Sequence, residues 1–76
     1  MFTQRYKRIG LKIAYYRKLK GYRQEELARR AQISTSYLSR IERGNYTKSV
    51  SLSAILTIAL ALEIDIIELL CDKGPN

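Results

Sequence analysis

Apolar residues recur at spacings of three and four along the chain, the period of helices that bury one face, and the pattern predicts five helices and no strand. The first helix follows Thr3, a serviceable N-cap, and ends before Gly21, with Ile9, Ile13 and Tyr16 turned inward and Lys18 and Lys20 at the negative end of its dipole. Gly10 weakens that helix by up to about 1 kcal/mol relative to alanine unless close packing requires it. Tyr22 then falls as an apolar plug before the second helix, Gln24 to about Arg30, whose inward residues are Leu27 and Ala28, with Ala31 just beyond. Ala28 is small, as the crossing point of two steeply inclined helices demands.

A turn at Gln32 and Ile33 leads to Ser34, whose hydroxyl can accept from a free amide one turn on. The third helix places Leu38 and Ile41 on one face and Thr35, Ser36, Ser39 and Arg40 on another. Gly44 closes it as a residue for which positive φ is cheap. Residues 45–50 are polar in character and predict a loop. Ser51 caps a fourth helix with the inward set Leu52, Ile55, Leu56, Ala59 and Leu62, and Asp65 with Glu68 has capping-box spacing for a last short helix from Ile66 to about Leu70. Gly74-Pro75-Asn76 reads as a frayed tail. Two short helices joined by a tight turn at about 24–43, apolar inside and bearing Ser, Thr and Arg outside, suit insertion into the major groove of DNA.

Composition narrows the function. Seventy-six residues predict a single domain, residues 1–76, whose core is only marginally sufficient. There is no apolar run of about 18 residues for a membrane span, and no apolar stretch follows the charges of the N-terminus as a secretory signal would require. Histidine is absent and Cys71 is alone, so an internal disulfide, a zinc site and the usual nucleophile–imidazole pairs are unsupported. No enzyme, metal or cofactor is expected, and the expected location is the cytoplasm. The formal charge of +7 is unevenly spread: residues 1–48 carry 13 Lys or Arg against Glu25, Glu26 and Glu42, or +10, while residues 49–76 carry Lys73 against Glu63, Asp65, Glu68 and Asp72, or −3. A basic front of this kind fits a polyanion, since phosphates release counterions when met by Lys and Arg.

The chain resembles the Cro and phage-repressor-like helix-turn-helix domains, the xenobiotic-response-element family of bacterial regulators. The resemblance covers about residues 9–70 and rests on Ile9-Gly10, Tyr16-Arg17, Gly21-Tyr22, the run from Gln24 to Ala28, Ile33-Ser34, the run from Tyr37 to Gly44, and Ala59, Leu62, Ile64 and Leu69. It implies an all-α, compact five-helix, lambda-repressor-like domain that binds double-stranded DNA, usually as a dimer on a palindromic operator. Carried across by position, Thr35, Ser36 and Arg40, with Ser39 a weaker candidate, read bases. Arg40 suits a paired contact to guanine O6 and N7. Gln24 corresponds to a position whose side chain and amide contact a phosphate at a helix N-terminus, and Tyr37, Arg43, Asn45 and Lys48 to further backbone contacts. Arg17 and Glu42 stand where the family places a buried ion pair, which also explains an acid so close to the groove.

The chain departs from the family pattern in two ways. Gln32 and Glu63 stand where glycines are usual, and Arg23 replaces the hydroxyl cap before Gln24, exchanging about 1 kcal/mol of capping for a phosphate contact. Leu11, Tyr15 and Leu19, and also Leu60 and Ile67, occupy positions that are usually polar, and some of them should surface as an apolar patch. Leu60 and Ile67, with Leu70, are the candidates for a homodimer contact, and the same surface could receive a protein partner. Three functions follow: a repressor acting as a homodimer; an antitoxin or restriction-modification controller; and an interaction module that has lost DNA binding.

Overall fold

The computed structural model describes residues 2–44 and 50–71, with side chains from Arg8 onward. Five helices run in order: α1 (Phe2–Lys20), α2 (Gln24–Ala31), α3 (Thr35–Arg43), α4 (Leu52–Leu62) and α5 (Ile67–Leu70). No strand occurs among the described residues. Helix α1 packs most extensively on α3 and α2 on α4, while α5 lies against α1. Between them sits one core of Ile13, Leu27, Ala28, Ala31, Leu38, Ile41, Ile55, Ile58, Ala59, Leu62 and Leu69, edged by Ile9, Tyr16 and Tyr22.

Helix ends repeat one device. The N–H of Tyr22, Ile33 and Ile64 each reaches back to a carbonyl five residues earlier, on Arg17, Ala28 and Ala59, over 3.0–3.1 Å. This is the Schellman closure, and it brings an apolar residue back onto the core just past the helix end. The left-handed residue it needs is Gly21 at φ 77° in the first case, but Gln32 at φ 62° and Glu63 at φ 60° in the others. Side chains with a Cβ thus hold a conformation that costs them about 1–2 kcal/mol. At the other ends, Ser34 Oγ accepts from Tyr37 N–H at 3.0 Å and Ser51 Oγ from Ala54 N–H at 3.1 Å, each as the sequence predicts.

Three local expectations change. Helix α1 begins at Phe2, so Thr3 lies inside its first turn rather than before it. Helix α4 buries Ala54, Ile55, Ile58, Ala59 and Leu62, whereas Leu52 and Leu56, expected inside, are 67% and 44% exposed. The reason is that α4 is apolar nearly all round, with Ser53 and Thr57 its only polar residues. Two inward faces therefore fit its periodicity, and packing chooses the one centred on Ile58. In α5 the expected capping box does not form: the cap residue is Ile66, which makes no side-chain cap bond. Asp65 Oδ1 accepts from Ile67 N–H at 3.1 Å, but the Glu68 carboxylate turns away to accept from Tyr16 Oη at 3.1 Å. The expected loop at 45–49 and the tail at 74–76 fall outside the described residues.

Gly10 sits where α1 crosses α3. A Cβ there would lie 2.1 Å from the Ile41 carbonyl oxygen and 2.9 Å from that of Glu42, so only glycine lets the two backbones approach this closely.

Candidate nucleic-acid interface

Leu38 and Ile41 anchor α3 in the core, and that anchoring alone turns its opposite face outward. Thr35, Ser36 and Arg40 are exposed and Ser39 is half-buried. These four, with Gln24 and Arg43, line one shallow open hollow of about 440 Å³. The hydroxyls stand at the start of α3 and the guanidiniums near its end, so one surface offers donors of two lengths. Neither the Arg40 nor the Arg43 side chain has an ion-pair or hydrogen-bond partner among the described residues. Arg23, beside the hollow at the start of α2, is exposed and makes no capping bond. Tyr37 is half-buried and packs on the core edge. Asn45 and Lys48 lie outside the described residues.

Directly behind this surface, Arg17 and Glu42 join α1 to α3. Arg17 Nε donates to Glu42 Oε2 at 2.7 Å and its second terminal nitrogen to Oε1 at 3.0 Å, a two-pronged pair, while the remaining nitrogen donates to the Tyr22 carbonyl at 2.9 Å. Glu42 is only 8% exposed, and its carboxylate is matched on both oxygens. Glu42 therefore adds little repulsion toward an approaching phosphate. Glu26, also on the α2 side, is held by Arg30 at 3.1 Å. That bond raises the Arg30 pKa above its ordinary value, with the nearby Tyr22 contributing. Arg30 also lies 4.7 Å over the Tyr22 ring, a cation–π contact.

One contact within the site is not legible from pattern or resemblance. Gln24 Nε2 donates to Glu42 Oε1 at 2.9 Å, so the side chain lining the hollow is tied to the buried ion pair. The two residues are 18 apart on different helices, and no periodicity connects them.

The charge split by sequence halves does not map simply onto two sides of the molecule. Lys12, on α1, donates to the Cys71 carbonyl just past α5, and Lys20 pairs with Glu63 at the end of α4 at 2.8 Å. The bond with Lys20 lowers the Glu63 pKa below its ordinary value, and the same bond raises that of Lys20. Burial, then the Glu68 carboxylate, pushes the Tyr16 phenol up. Two cations of the basic half thus serve the α4–α5 side. That side also carries the exposed Leu60, Ile67 and Leu70, and Leu11, Tyr15 and Leu19 are exposed along α1. Among the described residues no cluster of three or more His, Cys, Asp or Glu could hold a metal ion, and no helix is long and apolar enough to cross a membrane.

Residues 13–69 match the helix-turn-helix family. The chain is similar to the HTH-type transcriptional regulator SinR of Bacillus licheniformis, 40% identical over 68 residues, which are 90% of this chain and 60% of that protein. It is 43% identical over 61 residues to the HTH-type transcriptional regulator SlrR of Bacillus subtilis, covering 80% of this chain and 40% of SlrR. The chain thus spans about half the length of these relatives. Among solved structures, the restriction-modification controller protein C.AhdI from Aeromonas hydrophila superposes with a TM-score of 0.77 at 38% identity, covering 83% of this chain and 92% of that one.

Proposed function

The chain belongs to the Cro/C1-type helix-turn-helix family of DNA-binding transcriptional regulators, and from that premise we propose that it is a sequence-specific repressor acting as a homodimer on a palindromic operator. The observation that carries this reading is the exposed Arg40 side chain, without a partner among the described residues and set among Thr35, Ser36 and Ser39 on the outer face of α3. Arg40 reads guanine through O6 and N7, and the hydroxyls read its neighbours. Arg23, Tyr37 and Arg43, with the first amide of α2 at Gln24 and with Asn45 and Lys48, bind the phosphates on either side. The residues together form one DNA-binding domain that works in the cytoplasm.

One reading helix spans too few base pairs to find a site in a genome, so two copies are needed, with half-site centres about 34 Å apart. The exposed Leu60, Ile67 and Leu70 supply the contact between copies, on a side where two basic faces do not repel each other. A second reading, a restriction-modification controller, is favoured by a match that covers 92% of the C.AhdI chain; it uses the same DNA surface.

Binding-site selection from random duplexes, repeated with Arg40→Ala, tests the proposal. Loss of discrimination at one base pair per half-site, by about 1–3 kcal/mol, is expected. Unchanged preference removes Arg40 from the reading role, and no selected site at all would refute sequence-specific binding.

A further inference from the structure

The bond from Gln24 to Glu42 gives the Gln24 side chain a defined chemical face. An ionised carboxylate only accepts, so the nitrogen of the carboxamide, and not its oxygen, must point at Glu42. Glu42 cannot swing away to release it, because Arg17 grips both of its oxygens from α1 at 2.7 and 3.0 Å. The carboxamide is therefore fixed in one of its two flips. Left over are Oε1, as an acceptor, and the second N–H of Nε2, as a donor, on a side chain that lines the same hollow as Thr35, Ser36 and Arg40. An adjacent acceptor and donor is the pattern that complements N6–H and N7 of adenine in the major groove.

We propose that Gln24 is a specificity-determining residue that reads an adenine through its side chain, and that Glu42 is the positioning residue that holds it in the reading flip. This rests on the DNA-binding reading above and extends it: the phosphate contact falls to the backbone amide of Gln24, and the side chain contributes sequence. The ion pair between α1 and α3 thereby has a second task besides stability. A free glutamine can turn its amide to donate to guanine O6 or N7 as well as to adenine N7, and so distinguishes the two purines poorly. A glutamine fastened by an acid presents one edge.

The test is binding-site selection on the intact chain followed by affinity measurements on the selected duplex and its single-base variants, for the unsubstituted protein, Gln24→Ala and Glu42→Gln. Gln24→Ala is expected to lose an adenine preference of order tenfold at one position per half-site, while the guanine preference that depends on Arg40 remains. Glu42→Gln can donate as well as accept, so Gln24 flips freely, and the same adenine preference falls with Gln24 still present. A purely structural Glu42 would lower thermal stability and leave the adenine preference of the folded fraction intact, or lower it together with the Arg40-dependent guanine preference by loosening α3 as a whole, and either outcome overturns the positioning role. If Gln24→Ala weakens all sequences equally, or none, the reading role is overturned, whatever Glu42→Gln does. An unsubstituted chain with no base preference would overturn the DNA reading itself, which is distinct from a selected operator that ignores Gln24.

Discussion

Gly10→Ala sets helix propensity against packing. In an exposed helix the change stabilises by about 1 kcal/mol, because alanine is the best helix former and glycine among the worst. Here the new methyl meets two backbone carbonyls of α3, at 2.1 Å for Ile41 and 2.9 Å for Glu42. Neither can rotate away, and the Ile41 carbonyl already accepts from Gly44 N–H at 3.0 Å in the cap of α3. The remaining relief is separation of α1 from α3. Bringing the closest approach from 2.1 to 3.0 Å moves the helices apart by 0.9 Å. The same displacement would stretch the 2.7 Å Arg17–Glu42 bond to 3.6 Å, past hydrogen-bonding range. Overpacking of this kind costs about 1–3 kcal/mol, and the loosened buried pair takes it to the upper end. After the gain in propensity, a net loss of about 2 kcal/mol remains, which lowers the melting temperature by about 8–16 °C for a domain of this size. Thermal and urea unfolding followed by circular dichroism measure it. A variant as stable as the parent, or more so, would refute the argument that close backbone approach fixes residue 10.

Four further outcomes follow from the same structure. Glu42→Ala strands the Arg17 guanidinium and the Gln24 amide, so a loss of about 3–5 kcal/mol is expected in urea unfolding, while the double replacement Arg17→Met/Glu42→Leu recovers most of it. Gln32→Gly relieves the left-handed strain at φ 62° and should raise stability by about 1 kcal/mol, seen as a higher urea midpoint at unchanged slope. Ile67→Glu should leave the helical spectrum intact and abolish self-association; a parent chain that sediments as a monomer at high concentration and binds its operator as one copy would end the dimer proposal. Glu63 has a folded pKa below its usual 4.5, so its pairing with Lys20 contributes above the unfolded value and is lost as pH falls through the folded one. Glu63→Gln should therefore destabilise slightly at neutral pH and not in strong acid; an equal difference in melting temperature at both would contradict it.

Most of the helices were legible because their ends carry chemistry as well as periodicity. Ser34, Ser51 and Gly44 are caps with a stated bond or backbone angle, and each stands where the sequence puts it. Helix α4 was located and its Ile55, Ala59 and Leu62 were placed inward, but the edges of its buried face were not: with apolar residues on nearly every side, nothing short of the packed partner says that Ile58 goes in and Leu52 out. The start of α5 was blurred because Glu68 has two acceptable partners, the helix amide and the Tyr16 hydroxyl, and only the fold brings the second within reach. At the DNA surface, the outward set of α3 follows from its inward set. Phase on one helix, however, says nothing about Gln24 meeting Glu42 from another, and the division of charge by chain halves missed Lys12 and Lys20 folding back onto the α4–α5 side.

Three connections converge on α3, and together they explain why α1 matters to a function carried out elsewhere. Gly10 sets how near the α3 backbone lies to α1. Arg17 fixes the rotation of α3 about its axis through the two oxygens of Glu42. Gln24 ties that same carboxylate to the start of α2. A translation of α3 is resisted by the first, a rotation by the second, and a change in the angle of the helix-turn-helix by the third. Major-groove readout by Arg40 depends on the first two above all, since its paired contacts require hydrogen-bond distances and directions to be met together. Loss of the first or the second restraint should therefore reduce discrimination between bases more than it reduces the affinity for random DNA, which depends on charge alone.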